Sequence, residues 1–261
     1  MYNNYLRYLN SILDQNIKNL DFKCNKDYIQ ILEHVNYDLG VEYIEFIENE
    51  FGNIISFENI SDFININDKY GSPLTFLFHF SFYNKNIRCS PSNLRYIYHA
   101  LVILHHFKKT NLKSIVEIGC GYGGLCLAIV FFANILNIEI NEYHLCDFPE
   151  VCHLTNRYLK INNINIKFIF HDCHQYGQTI HNNELYLISN YCFTAISDEH
   201  RQNYVKYLFD KIKHGFIVWQ TFFGVDIQHA SAIIKKPILS IIEEKPQTCN
   251  DKVKKNYFVS F

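Results

Sequence analysis

Hydrophobic residues recur along this chain with two periods. From Tyr28 to Leu39 they fall at 28, 31, 32, 35 and 39, the spacing of an amphipathic helix, and Gly40 is placed to interrupt it before a second helical stretch from Val41 to Phe51. Residues 52–89 hold many Phe and Tyr in neither period and read as irregular. In "CSPSNLRYIYHALVILHHFKK" Ser90 is placed to cap a helix, Pro91 to fill its first turn, and Leu94, Ile97, Leu101 and Leu104 to form a buried stripe. Short apolar runs then alternate with helical stripes: strand 114–118, helix 122–136, strand 142–146, helix 149–161, strand 166–170, strand 185–190, helix 198–213 and strand 216–220. After Gly224 a further helix leads to "PILSIIEE" and "KNYFVSF", two strand-like runs joined by a polar turn. The alternation predicts a parallel sheet covered on both faces, with ligands at the carboxyl ends of its strands. Residues 1–89 thus read as a helical, loop-rich N-terminal extension, and residues 90–261 as a Rossmann-like α/β domain that closes with an antiparallel strand pair.

Composition narrows this picture. A chain of 261 residues buries a proper core, and a net charge of −2 provides no basic stripe, so no nucleic-acid partner is expected. Nine cysteines contain no C-x-x-C pair, and several sit in strands or buried helices, as small reduced residues of a cytoplasmic protein do. The start, "MYNNYLRYLNSILDQ", lacks a basic stretch followed by an apolar one, so no secretory signal is expected. The most apolar run, Leu125 to Leu136, contains Asn134 and is too short to span a bilayer.

The chemistry centres on "SIVEIGCGYGG", residues 114–124. Gly119, Gly121 and Gly124 satisfy the dinucleotide spacing G-x-G-x-x-G, while Glu117 with Gly119, Gly121 and Gly123 satisfies E-x-G-x-G-x-G, a turn used by S-adenosylmethionine (SAM) enzymes. A bare turn from strand to helix lets the backbone approach either ligand. Glu117 would repel a pyrophosphate but suits the ammonium of SAM; the structural alternative is a cap on nearby backbone donors. Asp147 ends the second strand, where a carboxylate accepts ribose hydroxyls from SAM or NAD alike. Asp172, ending the third, occupies the place of a group that reads an adenine edge; Phe148 and Cys173 adjoin these acids in the candidate cofactor set. Asn190 follows the fourth strand, as a group to orient the methionine ammonium or an acceptor hydroxyl, with Tyr191 as pocket wall or catalytic phenol.

Four stretches, "SPSNLRYIYHAL", "VEIGCGYGGL", "CDFPEVCHLTNRYL" and "LISNYCFTAIS…HGFIVWQ", resemble the signature blocks of the putative sugar O-methyltransferase family over roughly residues 66–222. One departure is Leu185, where that family carries an acid three residues before the Ile of I-S-N-Y; Glu184 lies beside it. The resemblance implies a class I fold that binds SAM and methylates a carbohydrate hydroxyl, of a nucleotide sugar or a glycan. Ser90, Ser92 and Arg95 would then border the pocket, Arg95 pairing the SAM carboxylate or else lying along the protein surface. His99, one turn further on, and Trp219 and Gln220, ending the fifth strand, join the candidate acceptor site. In "HDCH", His174 is the candidate base, and no metal is expected because neighbouring strand-end residues point apart. Two other readings stay open: an NAD(P)-dependent oxidoreductase, favoured by the literal dinucleotide spacing, and a non-catalytic SAM-binding interaction protein. A homodimer is one open role for the N-terminal extension.

Overall fold

The computed structural model describes residues 2–32, 35–249, 251 and 253–261. In chain order the helices and strands are α1 (Tyr2–Ser11), α2 (Lys26–Leu32), α3 (Tyr37–Phe51), α4 (Phe57–Asn67), β1 (Phe76–Phe80), β2 (Lys85–Cys89), α5 (Pro91–Phe107), β3 (Ser114–Ile118), α6 (Gly124–Ile135), β4 (Glu142–Asp147), α7 (Pro149–Ile161), β5 (Lys167–Asp172), β6 (Leu185–Asn190), α8 (Asp198–Tyr207), β7 (Ile212–Gln220), α9 (Ala230–Ile234), β8 (Ser240–Glu243) and β9 (Asn256–Ser260). They fall into two units, one of residues 1–104, 121–138 and 153–164, the other of residues 105–120, 139–152 and 165–261.

In the first unit the helix break lies at Asn36 rather than Gly40. The Asn36 side chain accepts the Leu39 N–H at 2.9 Å and so caps α3. Gly40 continues the helix, and its bare face suits Phe78, whose ring lies 2.8 Å from where a Cβ would stand. Residues 33 and 34 of the predicted first helix lie outside the described residues. The stretch 52–89 is not irregular: α4 opens on a reciprocal cap between Ser56 and Asn59, and β1 and β2 form an antiparallel hairpin. Phe22, Tyr28, Tyr122 and Tyr158 pack as tilted and edge-on rings, with Tyr122 and Tyr158 centroids 5.0 Å apart. The Lys23 side chain is buried against them, 4.6 Å from the Tyr122 centroid, and donates to the Asn67 carbonyl.

The second unit holds a seven-stranded sheet in the order β5-β4-β3-β6-β7-β9-β8. The five strands from β5 to β7 pair in parallel, while β9 pairs antiparallel with both β7 and β8. This is the Rossmann-like α/β class with the closing antiparallel pair that the sequence predicts. Residues 198–213 divide among α8, a 3-10 turn at Phe209–Lys211 and the start of β7, so the fifth parallel strand is longer than its apolar run. Val116, Leu187, Ile217 and Val259 carry one core across four strands, and Tyr204 of α8 and Ile234 of α9 pack into it. Successive parallel strands run outward from β3 in both directions, so the carboxyl ends of β3 and β6 flank the point where the order reverses.

Candidate functional site

The carboxylates at 117, 147 and 172 occupy the same edge of three adjacent strands. Asp147 and Asp172 are register partners on β4 and β5, and Glu117 lies one residue before the end of β3, close enough to feel the Asp147 charge. Their environments differ. Asp147 is half-buried and its Oδ1 accepts the Phe148 N–H at 2.8 Å. Asp172 caps the turn that follows it, accepting the His174 N–H at 2.9 Å, and its Oδ1 also lies 2.8 Å from His174 Nδ1. Glu117 is 1% exposed and accepts the Tyr143 hydroxyl at 2.8 Å. Burial, opposed by the Tyr143 bond and assisted by the Asp147 charge, pushes its pKa up to about 8.

The turn after β3 has positive φ at Gly119 (81°), Gly121 (54°) and Gly123 (92°). The Gly119 N–H bonds the Cys146 carbonyl at 2.9 Å. A Cβ at 119 would lie 2.4 Å from Cys192 Cβ and 2.5 Å from its Sγ, so the missing side chain makes room for a cysteine that follows β6. Cys120, Cys146, Cys173 and Cys192 all stand where the Asp147 charge reaches them, and burial helps to hold each thiol above its ordinary range, Cys173 at about 12. Such thiols are poor nucleophiles and metal ligands. Among the described residues no disulfide joins the cysteines. Asp172, Cys173 and His174 bring one ligand atom each within 4.8 Å of one another, in a surface turn.

At β6, Ser189 donates to the Ile118 carbonyl and accepts the Phe193 N–H, both at 3.0 Å, which pins the strand end beside β3. Asn190 is half-buried there, and Tyr191 follows with φ 60°, a left-handed conformation that costs a non-glycine residue energy. The Tyr191 hydroxyl donates to Glu244 Oε1. Glu244 follows β8 and is 1% exposed. Sequence reasoning does not single it out. The one signal for it is the pair Glu243-Glu244 at a strand end, since alternation turns one of two neighbours inward.

Several sequence-predicted residues stand elsewhere. Trp219 is fully buried in the core and its indole N–H bonds the Val225 carbonyl at 2.9 Å, so the expected sugar-facing ring is corrected to a packing residue. Gln220, the next residue, is half-buried at the strand end. In the first unit Ser92 and His99 are fully buried. His99 faces the Tyr43 hydroxyl at 3.5 Å. Ser90 gives its N–H to Asp68 at 2.8 Å, and the buried Arg95 donates to the Leu32 carbonyl at 2.9 Å. His174 stands apart from Asn190 and Tyr191. It follows β5, three inter-strand steps from β6 and so roughly 14 Å from the Asn190–Tyr191 strand end. Its ring is turned to Asp172 and to Phe148, 5.7 Å away.

No protein-family model matches the chain, and no curated protein matches it. Solved structures do. TehB from Haemophilus influenzae is similar at 14% identity and a TM-score of 0.48, over 67% of this chain and 68% of that one. A S-adenosylmethionine-dependent methyltransferase from Clostridium acetobutylicum is similar at 9% identity and 0.46, over 84% and 96%. A SAM-dependent methyltransferase from Aquifex aeolicus is similar at 11% and 0.43, over 60% and 88%. These are distant likenesses of backbone course. Among the described residues no helix is long and apolar enough to cross a membrane.

Proposed function

We propose that the chain is a SAM-dependent methyltransferase whose acceptor is a sugar hydroxyl. The observation that carries this reading is the row Glu117, Asp147 and Asp172 on one edge of three hydrogen-bonded parallel strands, beside the point where strand order reverses. A phosphate-bearing cofactor is a poor match to three acids, whereas a cation is a good one. Glu117 is buried with a pKa of about 8, so near neutral pH it would give up its proton only beside a positive charge such as SAM carries. Asp147 is suited to accept ribose hydroxyls, and Asp172 and Phe148 to border the adenine.

When bound, SAM supplies a methyl group on a cationic sulfur. The protein's own part is to hold the acceptor oxygen in line with that methyl group, a positioning effect, and to receive the proton the hydroxyl gives up. Asn190 and Tyr191, at the end of β6, are the groups proposed to meet the acceptor. A sugar is the acceptor class implied by the resemblance of the four sequence blocks. Calorimetry with S-adenosylhomocysteine and with NADH and NADPH tests the cofactor. Binding of the first alone supports the reading, and binding of a nicotinamide nucleotide alone overturns it in favour of an oxidoreductase. Transfer of labelled methyl from SAM to a panel of monosaccharides, nucleotide sugars and amines then tests the acceptor, and methylation confined to amines overturns the sugar assignment.

A further inference from the structure

Tyr191 and Glu244 meet across a part of the sheet that the cofactor reading does not use. Hydrogen-bond donors converge on the Glu244 carboxylate. Its Oε2 takes the Thr248 N–H at 3.1 Å, the Thr248 hydroxyl at 2.7 Å and an Asn256 amide N–H at 3.0 Å, while Oε1 takes the Tyr191 hydroxyl. Asn256 also donates to Thr248 Oγ1 at 2.9 Å, and its own buried Oδ1 has no donor among the described residues. Turning the amide round would satisfy that oxygen's neighbours only by setting it against Glu244. The arrangement is therefore the one an ionised carboxylate demands, at the cost of an unpaired amide oxygen. In it the phenol proton of Tyr191 points at a buried carboxylate, which makes the phenol oxygen a better acceptor toward a second hydroxyl.

From this geometry we infer that Tyr191 and Glu244 form the proton-accepting pair for the acceptor hydroxyl, Tyr191 as the group that meets it and Glu244 as the positioning residue behind. The inference rests on the methyltransferase reading. As the acceptor oxygen forms its bond to the methyl carbon, the sulfur–methyl bond breaks and its electron pair stays on sulfur, giving a neutral thioether. The hydroxyl proton passes to the Tyr191 oxygen while the Tyr191 proton passes to Glu244 Oε1. The pair resets when Tyr191, which is half-buried, gives a proton to solvent and takes back the one held by Glu244. Burial raises the Glu244 carboxyl above its ordinary range against the pull of Tyr191, Thr248 and Asn256, which brings it nearer to working pH as an acceptor. Among the described residues, the other charged groups of the β8–β9 hairpin are Glu243 and Lys255, which pair with each other at 3.3 Å, and Lys245, Asp251 and Lys254. The strained φ of 60° at Tyr191 fits a side chain aimed by function rather than by backbone preference.

The test uses the whole chain labelled with 3-fluorotyrosine. The Tyr191 fluorine resonance is assigned by its loss in Tyr191→Phe and titrated in the wild type and in Glu244→Gln. An ionised Glu244 holds the phenol proton, so Glu244→Gln is expected to lower the Tyr191 titration midpoint, and Glu244→Asp to restore part of the shift. With the acceptor found in the panel, Glu244→Gln and Tyr191→Phe are each expected to lower kcat by about 100-fold with S-adenosylhomocysteine affinity unchanged. An unmoved Tyr191 midpoint, or turnover of Glu244→Gln within about threefold of wild type, overturns the inference. If wild type binds no S-adenosylhomocysteine, the methyltransferase reading fails instead, and the fluorine titration still reports whether Tyr191 and Glu244 are coupled.

Discussion

Replacing Glu117 by Gln removes an ionisable group and little else. The carboxyl is 1% exposed, and the Tyr143 hydroxyl that it accepts finds an amide oxygen in the variant. In the folded chain its pKa stands at about 8, against an ordinary value of 4.5. The folded state thus binds this proton more tightly than the unfolded state does, and native stability falls as pH rises from the unfolded value through the folded one. Relative to the neutral amide, which does not titrate, the carboxyl costs about 2 kcal/mol of stability at pH 6 and about 5 kcal/mol at pH 9, at about 1.4 kcal/mol per pKa unit. Glu117→Gln is therefore expected to gain about 3 kcal/mol on wild type between those pH values, or a widening of the Tm difference of order 5–10 °C in a domain of this size. Thermal unfolding followed by circular dichroism at half-unit steps of pH measures it, and the other titrating groups cancel in the difference. Asp147→Asn is expected to narrow the gap, since the Asp147 charge contributes to the Glu117 shift. Wild-type and variant curves that run parallel from pH 6 to pH 9 would refute the reasoning.

Asp147→Ala is expected to weaken S-adenosylhomocysteine binding by about 100-fold, the loss of two hydrogen bonds to a charged acceptor, and calorimetry reads it directly. Gly119→Ala is expected to cost about 2–4 kcal/mol in denaturant unfolding, from the positive φ and the overlap with Cys192 together. Because the overlap includes the Cys192 Cβ as well as its Sγ, adding Cys192→Gly should recover more stability than adding Cys192→Ala. Trp219→Phe is expected to lower stability by about 2–4 kcal/mol through a cavity and the stranded Val225 carbonyl, with acceptor KM unchanged; a raised KM at full stability would return Trp219 to the acceptor site.

The parallel sheet is legible in the sequence because its strands are short apolar runs, such as "SIVEI" and "LYLIS", set between helical stripes. The carboxylates at the strand tips are legible for the same reason, since a strand's end and the chain direction fix which edge they occupy. Burial is not. Glu117 reads as a pocket acid, and only the neighbouring strands, with Tyr143 across from it, reveal a desolvated carboxyl. Trp219 and Gln220 end the same strand, but the alternation that sends Gln220 to the rim sends Trp219 among Ile217's core neighbours. In the first unit Gly40 catches the eye before Asn36, although a cap defines a helix start while a glycine within a helix only weakens it. The hairpin β1–β2 is hard to see because "KNIRC" is largely polar and exposed, so it lacks an alternating apolar face. Glu244 depends on a hairpin that returns to Tyr191 from 53 residues away, a contact no local pattern encodes.

The placement of β9 between β7 and β8 bears on how this sheet assembles. β8 precedes β9 in the chain yet, among the described residues, has β9 as its single hydrogen-bonding neighbour in the sheet. Until β9 docks, β8 has nothing to zip onto, and the β7 edge that will receive Phe258 and Val259 stays open. Pairing of β9 with both neighbours therefore closes this side of the sheet and the chain segment between the two strands together. Weakened docking of β9 would leave β7 exposed as a template for another chain, so the strand that carries Asn256 also guards the sheet against aggregation.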